Sequence, residues 1–170
     1  MSPQYEKQIL VAGVGNAWLR DDAFGGEVAR RLEQGGVPSG VTVMDFGTNG
    51  LDLAYEVMRG YDALVLLDAS RQGEPPGTLF VIEPQREQYA GAIEDGESID
   101  PHGMDPHTVL RFVSATGGWP GKVLVIGCEP GAVDDVGLGL TPPVEAAVER
   151  ALALVRETIE GLRSDAAYAG

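Results

Sequence analysis

Asp22, Asp68 and His102 are the side chains of this sequence best placed to hold a metal ion. Asp22 follows a strand-and-turn segment, Ile9 to Asn16. Asp68 closes the apolar run Ala63-Leu64-Val65-Leu66-Leu67. His102 sits in the polar loop from Ile99 to His107, held by the preceding Pro101. In an open α/β sheet, ligands bind in the crevice beyond the carboxyl ends of the strands. Two carboxylates and one imidazole meeting there make an incomplete coordination sphere with room for an incoming group. Asp68 is the strongest single candidate, because a carboxylate ending a hydrophobic strand is costly unless a hydrogen bond or a cation compensates it. Asp22 has a plainer reading as well: with Asp21 it forms an acidic pair ahead of a helix, which complements the helix dipole. Asp45 ends another strand near the same crevice.

The elements that must position these residues follow from the hydrophobic pattern. Gln8 to Gly13 is an apolar run of the kind found in buried parallel strands. A helix is expected over Gly25–Gln34, with Val28, Ala29 and Leu32 on one face. Val41 to Phe46 is a second strand, stopped by Gly47-Thr48-Asn49-Gly50. Leu51 to Met58 has helical spacing through Leu51, Ala54, Tyr55 and Met58. Ala63 to Ala69 is the third and most apolar strand, expected at the centre of the sheet. Thr78 to Ile82 follows it after Glu74-Pro75-Pro76-Gly77, too short a connection for a parallel crossover. This strand is therefore expected to run antiparallel to the third, at a sheet edge.

Pro84 to Pro106 reads as mostly irregular and includes an acidic stretch from Glu87 to Asp105. Loops of that length are commonly functional. A helix then opens on Pro106 and runs to Thr116, and Lys122 to Cys128 is the last strand. Thr141 is placed to cap a final helix with Pro142 in its first turn. Val144, Val148, Leu152, Val155 and Ile159 carry that helix to about Leu162, and the tail beyond Ser164 is expected to fray. Alternating strands and helices point to one α/β domain over residues 1–170: three layers, α/β/α, around a twisted, mostly parallel sheet of about five strands with one antiparallel edge strand.

Other chemistries fit less well. Gly13-Val14-Gly15-Asn16-Ala17-Trp18 begins like a dinucleotide fingerprint, but Trp18 stands where the third glycine must allow close packing. Asp45-Phe46-Gly47 looks like the kinase magnesium triplet, yet the kinase glycine loop and lysine strand are missing. The sequence has no Gly-x-Ser-x-Gly elbow, no phosphate loop and no His-Glu-x-x-His helix. Cys128, the single cysteine, reads as a small core residue rather than a nucleophile and rules out an internal disulfide. His107, the other histidine, falls at a helix start and is expected at its surface.

The formal net charge of −14 disfavours nucleic acid and anionic membranes as partners. No apolar run approaches the roughly 20 residues that span a bilayer. The N-terminal residues lack a signal-peptide core, and a cytoplasmic monomer is the expectation.

Taken together and in order, the motifs resemble one family. They are Gly13-Val14-Gly15-Asn16 with Asp21-Asp22, Asp45-Phe46-Gly47-Thr48, Leu67-Asp68-Ala69 and Pro75-Pro76-Gly77-Thr78, followed by Pro101-His102-Gly103-Met104, Ile126-Gly127-Cys128-Glu129-Pro130 and Gly139-Leu140-Thr141-Pro142. The series resembles the nickel–iron hydrogenase maturation endopeptidases from about Gln8 to Leu162. The resemblance implies an α/β fold and removal of a C-terminal peptide from the hydrogenase large-subunit precursor once nickel has been inserted. It implies Asp22, Asp68 and His102 as the metal-binding positions and a part for Asp45 in cleavage. The family often has glutamate where Asp22 stands, and Phe46 replaces the first glycine of the family's Asp-Gly-Gly-Thr motif.

Nickel accepts imidazole well and carboxylate less selectively. Such a site could grip an ion already held by a partner's thiolates and so read whether that partner is loaded. The ion could polarise the scissile carbonyl or lower the pKa of an attacking water. Asp45 could act as general base. A second reading keeps the pocket but not the cleavage: a checkpoint module that binds the loaded large subunit. A nucleotide-binding domain is the weakest reading, because of Trp18.

Overall fold

A computed structural model of the chain describes residues 5–89 and 106–164. His102 and most of the acidic stretch Glu87 to Asp105 lie outside the described residues. Among those described, the strands are β1 (Ile9–Val14), β2 (Val41–Gly47), β3 (Ala63–Ala69), β4 (Leu79–Ile82) and β5 (Lys122–Cys128). The helices are α1 (Phe24–Gln34), α2 (Gly50–Val57), α3 (Pro106–Thr116) and α4 (Pro142–Ser164), with short 3-10 turns at Arg20–Ala23 and Arg86–Tyr89. One sheet runs in the order β2-β1-β3-β5-β4. β2, β1, β3 and β5 are parallel, and β4 is the antiparallel edge strand.

The sheet is buried on both faces, and its alternation sorts side chains between two cores. Ile9, Val11, Val65 and Leu67 point to one layer, where Phe24, Val28 and Leu32 of α1 meet Val144, Val148, Val155 and Ile159 of α4. Leu10, Ala12, Leu64 and Leu66 point to the other, where Leu53, Ala54 and Val57 of α2 meet Val109, Leu110 and Val113 of α3. This is the expected three-layer arrangement.

Two local expectations need correction. The buried stripe of α2 is Leu53, Ala54 and Val57, while Tyr55 and Met58 are exposed. Leu53 and Val57 are four residues apart and share a face, and burying both turns Tyr55 outward. β4 runs antiparallel at an edge as expected, but its pairing partner is β5, with Leu79 opposite Cys128. β5 inserts between β3 and β4, so the turn at Pro75-Pro76-Gly77 crosses the end of β5 instead of closing a hairpin. The turn is tied to that end by Gly77 N donating to Glu129 O (2.8 Å) and Glu129 N donating to Thr78 O (2.9 Å).

The strand order fixes where a ligand can sit. The chain leaves β1 toward β2 on one side and returns to β3 on the other. The switch point of the sheet therefore lies between β1 and β3 at their carboxyl ends.

Candidate active site

The turn after β1 is shaped around Asp22. Asn16 N donates to Asp22 Oδ2 (2.7 Å), and Trp18 N donates to Asn16 Oδ1 (2.9 Å). Gly15 has φ 134°, and a Cβ there would lie 1.9 Å from the Asp22 carbonyl oxygen. Only glycine fits such a position. Asp22 is half-buried, and its second oxygen, Oδ1, makes no hydrogen bond among the described residues. That oxygen remains available as a donor to an ion.

Asp68 ends β3 beside Gly127 of β5 and is also half-buried. α1 enters against the sheet between the two aspartates. A Cβ on Gly25 would come within 2.1 Å of Leu67 O and 2.6 Å of Val14 O, so the helix start rests on the ends of β3 and β1 together. The residues on either side of that contact are Asp22, just before the helix, and Asp68, just after Leu67. Both residues thus lie in segments that border the β1/β3 switch point. Two carboxylates are hard oxygen donors, and an imidazole is needed to favour nickel or zinc. Among the described residues, no group of three or more His, Cys, Asp or Glu is gathered to hold an ion. His102, expected to complete the set, is outside them.

Asp45 is exposed at the end of β2. The β1/β2 register slips there: Gly13 pairs with Asp45, but Val14 pairs with Gly47. Phe46 is the extra residue of this bulge, a device that often re-aims a side chain beside a site. Phe46 is buried in the α2/α3 layer. Its backbone is not left-handed, since Arg20 is the one non-glycine with positive φ among the described residues. The replacement of the family's glycine by Phe46 is thereby accommodated, and the left-handed turn falls on Gly47 (φ 57°). Gly47 N donates to Asp45 Oδ1 (2.9 Å), and Gly26 of α1 abuts Asp45 Oδ2, which a Cβ on that glycine would approach to 2.7 Å.

Gly15, Asn16, Trp18, Gly26, Glu27, Arg30, Asp45 and Thr48 line a cleft of about 420 Å³ between the β1 and β2 turns and α1. Gly15 links the cleft to Asp22 through their direct packing. Burial pushes the Glu27 carboxyl up, but Arg30 and Arg31 outweigh it and hold Glu27 below its ordinary value.

Asp21 has a role that the sequence did not reveal. It is fully buried and accepts four hydrogen bonds: from Gly131 N (2.7 Å), Ala132 N (2.8 Å), Thr141 N (2.7 Å) and the Thr141 hydroxyl (2.7 Å). Burial alone would raise its pKa. The bonds from Thr141, Ala132 and Gly131 prevail and lower it. Asp21 thus ties the turn carrying Asp22 to the loop after β5 and to the start of α4. Its partners are more than a hundred positions away, so no local pattern announces them. Glu129 does similar work nearby: buried, it accepts from Gln72 N and Glu74 N (2.7 and 2.8 Å) and holds the turn after β3.

Cys128 is buried, as expected, and burial, with the Asp21 carboxylate adding to it, pushes its thiol up to about 11. A thiol held protonated in this way is not a nucleophile at neutral pH. His107 lies at the surface of α3 and its Nδ1 hydrogen-bonds the Tyr89 hydroxyl (2.9 Å), away from the carboxylates.

Known proteins share both sequence and fold with this chain. Residues 27–158 match the family described as hydrogenase maturation protease. The hydrogenase 2 maturation protease of Escherichia coli K12 is 34% identical over 168 residues, covering 95% of this chain and 99% of that protein. The hydrogenase expression/formation protein HupM of Azotobacter chroococcum mcd 1 is 34% identical over 147 residues, covering 86% and 68%. The solved structure of the hydrogenase maturating endopeptidase HybD from E. coli superposes with a TM-score of 0.71 at 30% identity, covering 90% of this chain and 92% of that one. A hydrogenase 2 maturation peptidase from Thaumarchaeota archaeon SCGC_AB-539-E09 gives a TM-score of 0.69 at 30% identity, covering 91% and 99%.

Proposed function

This chain belongs to the hydrogenase maturation protease family and is a hydrolase of the peptidase class, and we propose that it removes a C-terminal peptide from the large-subunit precursor of a nickel–iron hydrogenase after nickel has been inserted. What supports the nickel reading is that Asp22 and Asp68 lie in the segments flanking the contact of Gly25 with the ends of β1 and β3.

Nickel would arrive as part of the substrate, and Asp22, Asp68 and His102 would be the residues to hold it. An ion so held would supply Lewis-acid chemistry, polarising a neighbouring carbonyl or lowering the pKa of a water. The protein's own residues do the rest. The turns at Gly15-Asn16 and Gly47-Thr48 wall the cleft in which the scissile segment lies. Asp45, held by Gly47 N on one oxygen and close to Gly26 with the other, serves as general base toward the attacking water, while Glu27 in the same cleft is engaged by Arg30 and Arg31. Asp21 holds the Asp22 turn in place, so that the carboxylates need not reorganise when substrate enters. No described helix is long and apolar enough to cross a membrane.

Intact mass spectrometry tests the proposal. Nickel-loaded and nickel-free precursors are each incubated with the protein. Loss of one defined C-terminal peptide from the loaded precursor alone is expected. Stable association without mass loss would instead make the protein a checkpoint module, and equal cleavage of both precursors would remove the nickel gate.

A further inference from the structure

Trp18, Val136 and Leu138 expose large apolar side chains to solvent, at 64%, 80% and 69% of their full areas. They come from two segments far apart in sequence that the backbone holds side by side. Gly137 N donates to Trp18 O (2.8 Å), Arg20 N donates to Gly137 O (3.1 Å), and Leu19 pairs with Gly137 as a parallel bridge. Trp18, Val136 and Leu138 flank this bridge on the two segments, and all three are exposed. Arg20 has φ 46°, and its guanidinium folds against Gly137, within 3.0 Å of where a Cβ would stand.

The patch is stiff. Asp21 follows Arg20 immediately and is anchored by its four hydrogen bonds, two of them from Gly131 and Ala132 in the same loop as Val136. Asp21 N also donates to Ala132 O (2.9 Å). Apolar side chains displayed on a backbone tied by such hydrogen bonds lose less entropy on meeting a partner, with tryptophan the most effective of such residues.

We propose that Trp18, Val136 and Leu138 form a docking surface for the folded body of the large-subunit precursor. This deepens the proposed function and rests on it. Continuity decides the occupant. Trp18 belongs both to the patch and to the lining of the cleft. A protein whose tail enters the cleft therefore carries its body over the adjoining rim. A second copy of this chain is the poorer fit, because two molecules each bearing a net charge of −14 repel one another. Docking there separates recognition of the precursor from the chemistry at the carboxylates.

The test uses the Val136→Ser/Leu138→Ser double variant, since neither residue lines the cleft. With nickel-loaded precursor as the titrant, KM and Kd are expected to rise about tenfold or more while kcat at saturation and Tm hold. Unchanged KM and Kd would overturn the docking surface. A second readout covers failure to fold: in wild-type protein with 13C-methyl-labelled valine and leucine, the Val136 and Leu138 methyl resonances should shift on addition of precursor, since neither residue lines the cleft. Val136 and Leu138 resonances that ignore bound precursor would also overturn the proposal. So would sedimentation showing a wild-type dimer that the double variant dissociates. If the wild type fails to cut the loaded precursor, the peptidase reading falls and the docking surface with it; if it cuts and the variant matches it, the docking surface alone falls.

Discussion

Asp21 and Asp22 are neighbours of the same type with opposite tasks. Asp21 spends its carboxylate on four internal hydrogen bonds, whereas Asp22 has one oxygen without a hydrogen bond among the described residues. Asp21→Ala leaves three backbone N–H groups and the Thr141 hydroxyl without their acceptor and should cost about 3 kcal/mol or more, read by urea unfolding. Asp22→Asn should leave stability nearly unchanged and stop cleavage. Gly26→Ala is a sharper probe of Asp45. Alanine favours a helix over glycine by about 1 kcal/mol, yet its Cβ would meet Asp45 Oδ2 at 2.7 Å. The variant is expected to unfold no earlier than wild type and to cut precursor at least tenfold more slowly. Full activity with normal stability would remove Asp45 from the reaction.

At the scale of elements, much of the architecture could be read in advance because it rests on local signals. β3, β5 and α3 run between the residues at which their apolar runs and punctuation begin and end. Asp68 falls at the end of the β3 run for the same reason, while Asp22 lies eight residues beyond β1, in the 3-10 turn Arg20–Ala23. Features that depend on distant packing were not legible. The face of α2 was misjudged because Tyr55 and Met58 are apolar enough to suggest burial, while α3 and the sheet select Leu53 and Val57. The insertion of β5 beside β4 is a long-range choice that no short segment encodes. The Asp21 anchor joins the turn before α1 to the connection between β5 and α4, more than a hundred positions away. Glu129 shows how such a tie can be tested at this scale: Glu129→Ala frees Gln72 N and Glu74 N and should destabilise the fold by about 2 kcal/mol, with faster hydrogen exchange confined to the turn after β3.

As a whole, the molecule combines a net charge of −14 with a fold that depends on a buried ionised carboxylate. The folded pKa of Asp21 is lowered, below an unfolded value of about 3.9. Its contribution to stability is therefore complete above that unfolded value and is lost as pH falls through the folded one. Near the sequence pI of about 4.3 the charge repulsion vanishes while this anchor persists. The protein should then precipitate in its native fold, with turbidity rising before the circular dichroism of the fold is lost; unfolding that precedes turbidity would contradict this. On the proposed function the site is also kept apart from what holds it together: the anchor is internal to the chain, and the ion would be brought by the substrate. The central claim is that Asp22 and Asp68 act on that ion together, and Asp68→Ala tests it most directly. Intact mass spectrometry of nickel-loaded precursor, with wild type and variant side by side and the variant's fold checked by its unfolding transition, should show the C-terminal peptide released by wild type and retained with Asp68→Ala. Release at the wild-type rate by a folded Asp68→Ala protein would contradict the account.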